Sequence, residues 1–167
     1  MSKGRNRQRT SRTLCYACAS AADGMDHIPP RAIFPAKGVV SAEFGDLRRN
    51  LITVPACRAH NGDFSKDDEY VAAVLAVQLG NNRIAYELFA QKILGALVRS
   101  PRFGRRVLQG ARPVMLGAIE TGVIRIDLAR FDRVMVRIAM GLYYHLTRVR
   151  LGAEVRYEVV APPQGAP

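Results

Sequence analysis

The sequence predicts an α+β chain, with a loop-rich N-terminal module followed by a mostly helical body that carries a small β-sheet. Three observations lead there. All three cysteines and two of the three histidines fall before residue 61, in a stretch punctuated by prolines. Apolar-periodic segments take over after residue 65. Between two of those segments, and again near the C-terminus, apolar and polar residues alternate with the period of a half-buried strand.

Taken in order, residues 1–14 form a basic arm, MSKGRNRQRTSRT and its neighbour, expected to be disordered until it meets a partner. No apolar stretch follows it, so it is not a secretory leader. Residues 15–79 make up the module and residues 80–160 the helical body. Ser65 with Asp68 fits a capping box, so a helix is expected to start there and run through DDEYVAAVLAVQ. A second helix is expected over 82–98, although its apolar register lapses after residue 88. Residues 113–128 read as two short strands around Glu120, Thr121 and Gly122, with VIRIDL alternating. Phe131, Val134, Met135, Ile138, Leu142, Leu146 and Val149 then fit one helical stripe. His145 is expected to pack with Tyr143 and Tyr144. EVRYEVV reads as a strand, and 161–167 as a disordered tail.

With 49% apolar residues, the 167-residue chain can build a real core. Its 25 basic residues outnumber 14 acidic ones, a formal charge of +11. That excess favours a polyanionic partner, because each neutralised phosphate releases condensed counterions. No apolar run reaches the roughly 18 residues of a membrane span. Three cysteines, two of them as C-x-x-C, do not make a secreted disulfide framework and point to a reducing, cytoplasmic setting.

Cys15 and Cys18 form a C-x-x-C pair, and Cys57 and His60 a C-x-x-H pair. Together they supply the four nitrogen and sulfur donors of a tetrahedral structural Zn²⁺. Each short spacing lets one turn aim two donors at one ion, and the long gap leaves room for a hairpin. Between the pairs lies MDHIPPRAIF. The Asp26 carboxylate suits a hard ion such as Mg²⁺ or Mn²⁺. The His27 imidazole can take a proton from water near neutral pH. Asn61 offers an amide oxygen as a second hard ligand, and Asn50, just before LITV, can brace an opposing loop. Each residue alone also reads as a turn, cap or loop position.

In this order, C-x-x-C, D-H-x-P and N-L-x-x-x-P-x-C-x-x-H-N, the chain resembles the HNH endonucleases, the zinc-bearing ββα-metal or treble-clef nucleases. The resemblance covers about residues 15–70. It implies that His27 is the general base and that Asn50 fixes the loop carrying it. It implies that Asp26 and Asn61 hold the catalytic ion, and that Cys15, Cys18, Cys57 and His60 hold zinc. The position of His60 is usually a fourth cysteine in that family. A rival alignment makes His60 the last motif histidine, but then zinc lacks a ligand and Asn61 lacks a role. The implied activity is hydrolysis of phosphodiester bonds in DNA, with RNA not excluded.

Arg99, Arg102, Arg105 and Arg106, with Arg112 beyond them, form a cluster expected to contact phosphate through the forked guanidinium. Arg130, Arg133 and Arg137 lie off the apolar stripe of the last long helix. A zinc-ribbon module that binds nucleic acid without cutting it is the alternative function. A protein whose helical body docks a partner is a third.

Overall fold

The computed structural model describes residues 13–62, 65–78, 81–152 and 155–156, and of Leu116 and Ile119 only the backbone. It is α+β, with two separate two-stranded antiparallel sheets among helices. The first sheet pairs β1 (Gly24–Ile28) with β2 (Ile52–Ala56), placing Asp26 opposite Val54 and His27 opposite Thr53. Alternation along β1 buries Asp26 and Ile28 on one face and leaves Met25 exposed and His27 half-buried on the other. The Cys15–Cys18 turn is sewn onto this sheet: Tyr16 N donates to Pro55 O (2.8 Å) and Asp23 N to Ala56 O (3.1 Å).

A short helix, α1 (Arg58–Asn61), leaves β2 directly and is followed by α2 (Ser65–Ala76). The helix predicted from Ser65 is present. Asp68, however, does not turn back as a capping-box acid, because its carboxylate accepts from Arg137 Nη1 at 2.9 Å.

The second predicted helix is continuous but not uniform. It comprises α3 (Arg83–Leu88), a π-helical turn (Phe89–Ile93) and α4 (Leu94–Arg99). Asn82 caps its start by accepting from Ala85 N at 2.9 Å. A π turn inserts one residue into the helical count, which accounts for the lapse in apolar register after residue 88. Pro101 then starts α5 (Pro101–Val107). Gly104 lets α5 close onto α4, since a Cβ there would lie 2.8 Å from the Leu97 carbonyl oxygen.

The predicted hairpin exists, but its turn is elsewhere. Strands β3 (Arg112–Leu116) and β4 (Ile119–Val123) join through Gly117 and Ala118. Gly117 has φ +61°, as the first central residue of a II′-type turn requires. Glu120, Thr121 and Gly122 lie inside β4, and of VIRIDL only Val123 is in a strand.

The last helix, α6 (Leu128–Thr147), starts at Asp127, whose side chain accepts from Arg130 N at 3.2 Å. Its apolar stripe holds from Phe131 to Leu142 and then fails: Leu146 is 81% exposed, and Val149 lies beyond the helix, which ends on Arg148 in the left-handed region. Of the tyrosines expected beside His145, Tyr144 packs against the N-terminal module and Tyr143 is partly exposed. The basic arm, the C-terminal tail and most of EVRYEVV lie outside the described residues, and Val155 and Arg156 are not in a strand.

Two apolar clusters form the core. The larger gathers Tyr70, Val71, Val74, Leu88, Ile93, Val107 and Val134 from α2, the π-containing helix, α5 and α6. The smaller gathers Cys15, Tyr16, Ile28, Val54, Ala56 and Cys57, and Ile138, Met140, Leu142 and Tyr144 of α6 lean on it. Helix α6 therefore serves both clusters. It touches β1 at Gly141, where a Cβ would lie 2.5 Å from Ile28 Cγ1. No helix among the described residues is long and apolar enough to cross a membrane.

Candidate metal centre and adjoining cleft

The four donors predicted from the two short spacings converge. The ligand atoms of Cys15, Cys18, Cys57 and His60 all lie within 4.8 Å of one another, close enough to hold a metal ion. Cys18 Sγ and Cys57 Sγ are 3.7 Å apart, and His60 Nδ1 lies 3.2 Å from Cys57 Sγ and 3.6 Å from Cys15 Sγ. A tetrahedron with metal–sulfur bonds of about 2.3 Å has sulfur–sulfur edges of roughly 3.8 Å, so the donor set fits such an ion. The 3.7 Å separation is far too long for a disulfide, and all three thiols are free.

Local geometry explains the convergence. Ala17 N points at Cys15 Sγ (3.4 Å), and Cys15 N donates to Ser20 O (2.9 Å), closing a tight knuckle. Cys57 stands at the start of α1, and its carbonyl accepts from His60 N (2.9 Å) and Asn61 N (3.0 Å). One helical turn thus carries the imidazole back over the thiol. Hydrogen bonds from Ser20 draw the Cys18 thiol down to about 7, toward the thiolate that a metal binds, while burial pushes Cys57 up.

Beside this centre, β1 carries Asp26 and His27 into a cleft of about 210 Å³. Arg31, Ser65, Asp68 and Glu69 also line it. Burial lowers the His27 pKa below its ordinary 6.5, Arg31 and Arg48 add to the effect, and Asp26 opposes it. The ring is therefore neutral at pH 7. Burial also pushes Asp68 up to about 6, against the pull of Arg137.

Asp26 is 6% exposed and already has two partners. Arg137 Nη2 donates to its Oδ2 at 2.9 Å, and the Tyr16 hydroxyl donates to the same oxygen at 3.3 Å. Arg137 lies off the apolar stripe of the last long helix, yet it is 5% exposed. It links Asp26 of β1 to Asp68 of α2, and its Nη2 also reaches His60 O at 3.5 Å. Burial works against its charge, and the two carboxylates more than offset this, raising its pKa above the usual arginine value. Burial likewise raises the Tyr16 phenol to about 12. Arg130 and Arg133 are also tied internally, both to Asp67 of α2.

The other two predicted site residues stand apart. Asn61 does not line the cleft; its amide sits over Gly24, 3.0 Å from where a Cβ at that position would be. Gly24 and Asp26 share a strand face, so Asn61 is one strand repeat removed from the carboxylate. Asn50 is exposed in the turn before β2. The charged cleft residues missed from sequence are Arg31, Asp68 and Glu69. For the two acids the signal was the acidic run SKDDEY, three residues beyond the C-x-x-H-N segment.

No family model, curated protein or solved structure matches the chain.

Proposed function

We propose that the chain is a metal-dependent endonuclease of the HNH type that hydrolyses phosphodiester bonds in nucleic acid, with DNA as the first substrate to test. One observation carries the reading: His27 and three carboxylates line one cleft, between α2 and a hairpin anchored to a Cys₃His cluster. The centre is read as structural zinc. The knuckle, the β1–β2 hairpin and α1 are read as the treble-clef arrangement of that family.

His27 accepts a proton from water, and the resulting hydroxide attacks phosphorus as the bond to the 3′ oxygen breaks. Arg31, at the cleft wall, offers a fork for a nonbridging phosphate oxygen. The residues present suit a hard divalent ion. Arg137 and Tyr16 meet Oδ2 of Asp26, and Asp68 and Glu69 add carboxylates to the same cleft. Bound there, Mg²⁺ or Mn²⁺ would stabilise charge on the phosphate and the departing oxygen. Asn61 would join that ion only after a shift along β1, and Asn50 would brace the loop beyond His27.

His27→Ala is expected to abolish plasmid cutting while metal content and the thermal midpoint stay at wild-type values. Equal cutting by the variant would remove His27 from the mechanism. The pH profile provides a second check. A general base works in its neutral form, and a lowered pKa keeps it neutral to lower pH; a divalent ion beside it acts in the same direction. The acid limb of the cutting rate should therefore have its midpoint below 6.5. A midpoint at 7 or above would assign the limb to another group.

The alternative, a zinc-centred module that binds nucleic acid without cutting it, draws on the contact between Arg137 and Asp26, which places a cation at the proposed ion ligand. It requires binding that ignores added Mg²⁺ and full function in His27→Ala.

A further inference from the structure

A second groove, about 520 Å³, adjoins the His27 cleft, and Ala32 and Glu69 line both. Its walls are α2, the π turn with α4, and α5. Five of its lining residues are cationic: Lys66, Lys92, Arg99, Arg102 and Arg106. Glu69, at the junction with the cleft, is its one acidic lining residue. Among the described residues, none of the five cations has a carboxylate within ion-pair distance, whereas Arg83, Arg130, Arg133 and Arg137 are all so paired. The helical body thus neutralises its α6 arginines internally and leaves these five available. Arg99, Arg102 and Arg106 of the sequence cluster line this groove, and Lys66 and Lys92 join them. Arg105 is exposed but does not line the groove.

We propose that this groove binds the sugar–phosphate backbone of the nucleic acid and feeds it into the His27 cleft. The inference deepens the endonuclease reading and rests on it for the direction of the strand. Unpaired cations along a concave wall attract a polyphosphate through counterion release, without reading bases. Continuity with the cleft sets the register: a strand lying on Arg102 and Arg106 reaches the cleft past Lys66 and Glu69. The close approach of α4 and α5 at Gly104 fixes one wall of the groove before any ligand arrives.

The test measures binding in buffer without chelator and without added Mg²⁺ or Mn²⁺, so that no cutting interferes and the Cys₃His centre stays loaded, using fluorescein-labelled 20-nucleotide single-stranded DNA, duplex DNA and RNA. The groove variant is Lys92→Glu/Arg102→Glu/Arg106→Glu. A control with the same change in net charge, Arg125→Glu/Arg148→Glu/Arg150→Glu, leaves the groove untouched. The groove variant should bind at least tenfold more weakly at 0.1 M salt. Its slope of log K against log salt should fall by roughly 2 to 3, the loss of three phosphate contacts. The control should bind more tightly than the groove variant and keep the wild-type slope. If the glutamates disturb folding by circular dichroism, the Gln versions serve, with a smaller loss of the same sign. Equal weakening in groove and control variants, or none in either, overturns the groove. Wild-type binding through the groove with no product in Mg²⁺ or Mn²⁺ would instead overturn the cutting reading and leave the groove standing. The three probes identify which nucleic acid it takes.

Discussion

Cys57→Ser should cost the N-terminal module its fold. The cluster around Cys15, Tyr16, Ile28 and Val54 is small, and the knuckle before β1 has no helix of its own. On the structural-zinc reading, such a segment depends on the ion that closes it. Structural zinc contributes about 10–16 kcal/mol in zinc-finger peptides, comparable to or larger than the 5–15 kcal/mol net stability of an ordinary domain. Loss of one thiolate removes much of that, and Ser offers a poorer ligand. Metal content is expected to fall from one equivalent per chain to well below it. Amide exchange across β1 and β2 should accelerate to the unfolded rate, while α2 and α5, which belong to the larger cluster, should stay protected. Chelation of the wild type should reproduce the effect. A Cys57→Ser chain with one tightly held metal and unchanged exchange in the hairpin would show that the four donors do not close the fold.

Arg137→Ala should be the most damaging single change outside the metal centre. It leaves Asp26 and Asp68 facing each other across a cleft edge without their shared cation. Breaking a buried pair by removing one partner costs about 3–5 kcal/mol, because the remaining charge stays desolvated. The lower end of that range is expected, since Asp68 keeps some access to the cleft. The pH dependence has a definite sign. Asp68 has a folded-state pKa near 6, above its ordinary 3.8, so the folded chain holds this proton more tightly than the unfolded chain does. Its contribution to stability is therefore favourable at low pH and is lost as pH rises through about 6. Removing Arg137 takes away the group that draws this value down, so the gap between variant and wild type should be widest at pH 7.5 and narrow toward pH 5.5. Urea midpoints at the two pH values measure it. A gap that is constant, or that widens in acid, would mean that the guanidinium stabilises by packing alone. A double-mutant cycle with Asp68→Asn isolates the pairwise part.

Much of this was legible in the sequence wherever the signal was local. The four metal donors announce themselves as two pairs, each confined to one turn. Helix α2 follows from Ser65 and the apolar run after it, and α6 from a stripe that holds through Leu142. Asp26 and His27 are adjacent in the sequence, and although alternation sets them on opposite faces of β1, both line the cleft. What was not legible depends on distant partners. Arg137 looks like a solvent-facing helix arginine until α6 is laid across β1 and α2, which bring Asp26 and Asp68 to it. The alternation in VIRIDL points to a turn around Glu120–Gly122, whereas the turn falls at Gly117, where the backbone takes a positive φ. Leu146 and Val149 continue the period of α6 past the end of the surface it covers; periodicity cannot say where the opposing core stops. Asn61 matched by motif order, but the geometry sets it over Gly24, because α1 is a single turn and fixes where its last side chain can fall.

The contact between Gly141 and Ile28 makes the two halves of the chain interdependent in heredity as well as in space. A glycine deep in a 20-residue helix costs about 1 kcal/mol of helix propensity, and here it allows the helix to seat on the strand beside His27. A larger residue at 141 calls for a smaller one at 28, so a substitution in the late helix carries a requirement back to the first strand.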